Sequence, residues 1–175
     1  MKRYAYIDCD YLSSIQTEVL SILDNKNTTE GWNFLNKMDL IQAPSVLKLC
    51  KELKLVVEDF SVTVLTEDLA PHLDALPQVA KINIPIANTK GWSNVWYSIT
   101  EEQLASCPSV TVFDDTHESI SHLELPETDR INDLDKIIAF NSRIPHSVNM
   151  YTPAVLSPRI VASFTFINQP LELLQ

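Results

Sequence analysis

Apolar residues recur along the chain with two different periods, and the change from one to the other divides it. The opening RYAYID alternates as a short strand does. YLSSIQTEVLSILD then sets Leu12, Ile15, Val19 and Ile22 or Leu23 at the three-and-four spacing of one helical face. The polar NKNTTEGW reads as a turn. APSVLKLCKELKL opens on Pro44, which suits a first helical turn, and gathers Val46, Leu47, Leu49, Cys50 and Leu53 on an apolar face. From LVVEDFSVTVLTE onward the pattern is of short β-rich runs: VAKINIPI, SNVWYSI, SVTVFD, KIIAFN, HSVNMY and RIVASFTFI. Two stretches interrupt them. ITEEQLAS places Thr100 and Gln103 at capping-box spacing for one or two helical turns, and ELPETDRINDLDK reads as a charged turn or loop.

Helices first and about seven strands afterwards predict an α+β, mainly β fold, an antiparallel double sheet or flattened barrel with the N-terminal helices packed on one sheet. The form expected is a jelly roll, or double-stranded β-helix. One domain is expected over residues 1–175, with 1–55 as a helical support region and 56–168 as the jelly-roll core.

Composition removes several classes of function. Two glycines leave nothing from which to build a glycine-rich phosphate cradle or a dinucleotide fingerprint. Thirteen basic against 23 acidic residues give a formal charge of −10, which repels nucleic acid. MKRYAYIDCDYL lacks the apolar centre of a signal peptide and no run approaches a membrane span, so a cytoplasmic protein is expected. Cys9, Cys50 and Cys107 match neither zinc-ribbon nor redox-pair spacing and are read as reduced.

The candidate chemistry lies in His-x-acid pairs. On one strand, residues two apart share a face and can chelate together. About half of one such pair is expected by chance and the chain holds two, His72/Asp74 and His122/Glu124, so at least one is accidental. His72/Asp74 has company downstream. IIAFNSRIPHSVNMYTPAVLSPRIVASFTF contains a strand, a turn, His146 opening a second strand and Arg159 opening a third. Asp74 precedes His146 by 72 residues, room for the intervening strands, whereas Glu124 precedes it by only 22. Two imidazoles and one carboxylate make the facial set that holds non-haem Fe(II) with three positions open, and a guanidinium deeper in would hold a second carboxylate through a two-point contact. Arg159, Val161 and Ser163 share one face of their strand and Ile160, Ala162, Phe164 and Phe166 the other, so Arg159 can point into a core.

His72-Leu73-Asp74, His146 and Arg159 resemble the motif of the Fe(II)- and 2-oxoglutarate-dependent dioxygenase superfamily, over about residues 60–168. Within it, HLDALPQVAKINIPI and the C-terminal strands look most like the aspartyl/asparaginyl and prolyl hydroxylase groups. The chain departs from the pattern in lacking a tyrosine just ahead of His72 and a serine two residues after Arg159. The resemblance implies that His72, Asp74 and His146 are metal ligands and catalytic residues. It also implies that 2-oxoglutarate chelates the iron and pairs its 5-carboxylate with Arg159, and that a small-molecule or peptide substrate is hydroxylated. The carboxylate of Asp74 matters to that outcome, because related halogenases lack it and take a halide in its place.

Asn83 and Lys81 alternate along AKINIPI and are candidates to reach a cofactor carboxylate. Trp96 and Tyr97, with Trp92, are candidates to line the pocket mouth against substrate, core packing being the plainer role for at least one of them. His117 and His122 lie in DDTHESISHLEL, which reads as a solvated hairpin. Two other classes compete: a cupin-like metal or small-molecule binding protein, perhaps acting as an isomerase or epimerase, and a non-catalytic jelly roll. The first has no need of a buried Arg159, and the second no need of the two histidines and the aspartate together.

Overall fold

The computed structural model describes residues 2–26, 28–74, 79–107, 109–112, 115–118, 120, 123–152, 157–168 and 170–175. The first 56 residues supply β1 (Tyr4–Ile7), α1 (Leu12–Asp24), β2 (Gly31–Leu35), α2 (Lys37–Ile41) and α3 (Pro44–Glu52). Then come β3 (Val57–Leu65), β4 (Leu69–His72), β5 (Ala80–Ala87), β6 (Trp92–Tyr97), α4 (Glu101–Ala105), β7 (Ser109–Val112) and β8 (Asp115–Glu118). The chain continues through β9 (Glu127–Asn132), β10 (Ile137–Asn141), β11 (His146–Met150) and β12 (Arg159–Phe166) to a 3₁₀ turn at Leu171–Leu174. No helix among the described residues is long and apolar enough to cross a membrane.

The strands form a large sheet, β1-β10-β5-β12-β3-β2, a small sheet, β4-β11-β6-β9, and a separate β7-β8 hairpin. All pairings are antiparallel. The result is a mainly β, cupin-like sandwich. From β3 to β6 successive strands alternate between the sheets, and β9 to β12 alternate in the same way, so short connections carry the chain back and forth across one interior.

The alternation of side chains on β12 shows how the layers are made. Ala162, Phe164 and Phe166 join Phe60, Val62 and Val64 of β3 and Ile82, Ile84 and Ile86 of β5 in a core shared with Ile15, Val19, Ile22 and Leu23 of α1 and Val46, Leu49 and Cys50 of α3. The helical spacing of those residues is therefore met by burial against the outer face of the large sheet. Glu18 of α1 accepts from the main-chain N–H and the hydroxyl of Ser45 at the start of α3, satisfying an end that has no cap of its own. On the other face of β12, Val161 packs with Trp96 and Ile131 of the small sheet and Ile138 and Phe140 of β10.

Three elements depart from the sequence reading. The charged stretch ELPETDRINDLDK contains β9, an edge strand on which Ile131 is the one buried residue, so its outward positions carry the charges that obscure a strand pattern. The first 55 residues are more than a helical support: β1 and β2 are the two edge strands of the large sheet. β2 begins at Gly31, whose φ of 94° only glycine adopts readily, and it leaves Trp32 and Phe34 42% and 59% exposed, a pattern that does not read as a buried strand. Between β2 and α3, α2 is closed by a capping box of Asn36 and Asp39.

Candidate metal centre

β11 lies between β4 and β6, and its first residue, His146, pairs directly with His72 on one side and with Trp96 on the other. The two imidazoles are thereby cross-strand neighbours, their ring centroids 4.4 Å apart. Each Nδ1 sits 2.9 Å from a main-chain carbonyl two residues upstream, that of Ala70 for His72 and that of Ile144 for His146. A carbonyl only accepts, so Nδ1 carries the proton in both rings and Nε2 keeps the lone pair a metal needs.

Asp74 arrives differently from the way its spacing suggests. β4 ends at His72, so the pair does not share a strand face, and Asp74 lies two residues beyond the ladder. It is held instead by the turn between β10 and β11: its N–H donates to the Ser142 carbonyl at 3.3 Å and its own carbonyl accepts from Arg143 Nη1 at 2.7 Å. From the opposite sheet, Lys81 Nζ reaches Asp74 Oδ1 at 3.0 Å. These contacts bring the carboxylate to 4.0 Å from His72 Nε2 through Oδ1 and to 3.7 Å from His146 Nε2 through Oδ2. One ligand atom from each of the three residues lies within 4.8 Å of the others, a spacing that a single cation can bridge.

The electrostatics suit a cation. Burial holds His72 down from its ordinary 6.5 to about 4, and the neighbouring His146 pushes the same way against the pull of Asp74. Burial lowers His146 as well, against Asp74. Burial works against ionisation of Asp74, but Lys81 and the two imidazoles outweigh it and bring the carboxyl down to about 2. At neutral pH the cluster is therefore two neutral imidazoles and one carboxylate, the protonation states that coordinate metal.

Arg159 opens β12 and turns into the interior, where it is 2% exposed. Its Nη2 donates to Asn94 Oδ1 at 3.0 Å, its Nε has no hydrogen-bond partner, and among the described residues no carboxylate forms an ion pair with it. Burial alone pushes this guanidinium down to about 10. The other buried side-chain atoms without partners are Asp74 Oδ2, Asn94 Nδ2 and the indole nitrogens of Trp92 and Trp96. All belong to residues whose side chains meet between the two sheets, a concentration of unmet polar groups that asks for a polar occupant.

The remaining candidates divide by face. Trp96 is buried beside His146 and stacks on Tyr4 with centroids 4.9 Å apart, so packing is its visible role. Tyr97 points the other way, as the next residue on a strand must, and its hydroxyl meets that of Ser147 at 2.9 Å. It stands apart from the interior that a substrate of this centre would enter. Asn83 shares the inward face of β5 with Lys81 and accepts from the Ser163 hydroxyl at 2.7 Å. His117 lies on β8, in the separate hairpin; His122 is outside the described residues, and Glu124 is exposed. Asn94, the partner of Arg159, was legible in principle, because it alternates with Trp92 and Trp96 in WSNVWY.

No protein-family model and no curated protein sequence matches the chain. Solved structures do. The epimerase SnoN in complex with Fe3+, alpha-ketoglutarate and nogalamycin RO aligns with a TM-score of 0.60 at 12% identity, covering 93% of this chain and 77% of that one. A second structure of SnoN, described as a non-heme alpha-ketoglutarate-dependent epimerase from nogalamycin biosynthesis, gives 0.57 at 11% identity over 94% and 76%. AviO1 from Streptomyces viridochromogenes Tue57 gives 0.50 at 9% identity over 97% and 92%. At these identities the likeness is one of fold: the chain has the sandwich on which those proteins are built.

Proposed function

We propose that the chain is a non-haem Fe(II)- and 2-oxoglutarate-dependent oxidoreductase acting on a small-molecule or peptide substrate between its two sheets. One observation carries this: the same interior holds a His-Asp-His cluster and a buried guanidinium without an acidic partner among the described residues. A metal-binding protein with no anionic co-substrate has no use for that second feature. The described residues fit both groups, since Asp74 Oδ2 is buried without a partner and Arg159 Nε likewise.

His72 Nε2, His146 Nε2 and Asp74 would hold the iron, leaving three positions for a chelating co-substrate and oxygen. Arg159 would take the distal carboxylate of 2-oxoglutarate, with Asn94 fixing the plane of the guanidinium. Asn83 lines the same inward face. When bound, iron and 2-oxoglutarate together supply, at the expense of oxygen, an oxidant able to remove hydrogen from an unreactive carbon. The chain's own contribution is to place these groups and to keep water away: Trp96, Phe140 and Val161 pack into an apolar wall beside the cluster. The crossing order of β3 to β6 and β9 to β12 supports reading the sandwich as a jelly roll, and the kinship with aspartyl/asparaginyl and prolyl hydroxylases rests on the sequence motif.

Hydroxylation is the leading reaction because Asp74 occupies the third ligand position. Stereochemical inversion is the second reading, favoured by the likeness to SnoN, and it uses the same hydrogen removal. Anaerobic addition of Fe(II) and then 2-oxoglutarate tests the shared part: a visible charge-transfer band should form, and admission of oxygen should yield succinate. Absence of both from iron-loaded protein would leave a cupin-like binding protein. Labelled oxygen gas separates the two reactions, entering the product on hydroxylation and not on inversion.

A further inference from the structure

We propose that Lys81 is a positioning residue that keeps Asp74 a one-oxygen ligand and so preserves the open positions on the metal. The inference rests on the metal-centre reading above. Asp74 stands beyond the end of β4, so no strand ladder orients its side chain. Its main chain is pinned by Ser142 and Arg143, but rotation of its carboxylate is restrained by one printed polar contact short of a metal ligand, the 3.0 Å ion pair from Lys81.

Lys81 comes from the large sheet, across the interior from the strands that carry the histidines. On β5 it pairs with Phe140 of β10, whose ring lies 5.2 Å from that of His146, so the lysine is placed against the cluster. Its ammonium takes Oδ1. The other oxygen, Oδ2, is buried, has no hydrogen-bond partner and lies on the side of His146 Nε2. A carboxylate with both oxygens available tends to chelate, whereas one with an oxygen committed to an ammonium offers a single donor. Coulomb repulsion makes a cation this close to a divalent metal unfavourable for metal affinity alone. Lys81 is explained by what it preserves: three open positions in place of two.

The test uses Mn(II)-loaded protein, whose water-proton relaxivity scales with the number of metal-bound waters. In Lys81→Met, which keeps the apolar stem, Asp74 is expected to chelate and displace one water of three, lowering relaxivity by about a third, with Mn(II) bound no more weakly. Lys81→Arg, which can still occupy Oδ1, should behave as the wild type. Relaxivity unchanged in Lys81→Met, or Mn(II) affinity lost in it, would overturn the proposal and leave the metal centre standing. A wild-type chain that binds no Mn(II) would remove the metal centre and this proposal together.

Discussion

Replacing Arg159 by methionine removes the buried charge while retaining most of the side chain's volume. The wild-type guanidinium is 2% exposed, has Asn94 as its hydrogen-bond acceptor and is pushed by burial from its ordinary 12.5 to about 10. At 1.36 kcal/mol per unit of pKa, that burial costs about 3 kcal/mol, an order-of-magnitude figure for what an incoming carboxylate has to recover. Two opposite consequences follow. The metal-free, ligand-free variant should be at least as stable as the wild type, because an uncompensated charge has left the interior. Its affinity for 2-oxoglutarate should fall by about 10²-fold, the same energy read as binding, with metal affinity nearly unchanged. Thermal unfolding with and without iron and 2-oxoglutarate measures both: the ligand should raise the wild-type midpoint and not the variant's. Arg159→Lys should recover only part, since an ammonium lacks the planar fork. A methionine variant that unfolds well below the wild type and still binds 2-oxoglutarate would show that Arg159 is structural.

Three further outcomes follow from the same geometry. With His72 at about 4 and Asp74 at about 2, protons should begin to compete with Co(II) only near pH 4, so affinity should change little from pH 7 to 5; halving near pH 6.5 would contradict the depressed histidine. In the metal-free protein the sign is the same: an unfolded imidazole takes its proton near 6.5 while folded His72 does not until about 4, so stability falls as pH drops through that window, by at most about 3 kcal/mol in urea titrations. Asp74→Ala should lose bound metal in equilibrium dialysis while keeping the wild-type circular dichroism spectrum; loss of the fold would make the aspartate a scaffold residue. Phe164→Ala, which removes the ring stacked on Phe60 at 4.4 Å under the helices, should cost about 3–5 kcal/mol in denaturant titration without altering metal affinity.

The parts of this structure that could be read from the sequence are those whose pattern is produced by burial. α1 and α3 show their apolar face because it covers the large sheet, and β12 reveals an inward Arg159 because both of its faces are packed. β9 and β2 are edge strands, where solvent and not the core decides the residues, and their patterns carry no comparable signal. The metal cluster was legible as residue types and separations but not as a mechanism of assembly. A two-residue spacing implies one strand face, whereas Asp74 is supplied by a turn and an ion pair from residues distant in sequence. Trp96 and Tyr97 show the converse: adjacency suggested a common role, and strand alternation sends them to opposite faces.

The claim on which the rest depends is that His72, Asp74 and His146 share one iron. Crystals grown without oxygen in the presence of Fe(II), measured at the iron absorption edge, locate the metal without assumption. An anomalous peak at about 2.0–2.2 Å from both Nε2 atoms and from an Asp74 oxygen is predicted, by the usual lengths of such bonds. No peak at the cluster in protein saturated with Fe(II), or a peak held by other residues, would contradict it.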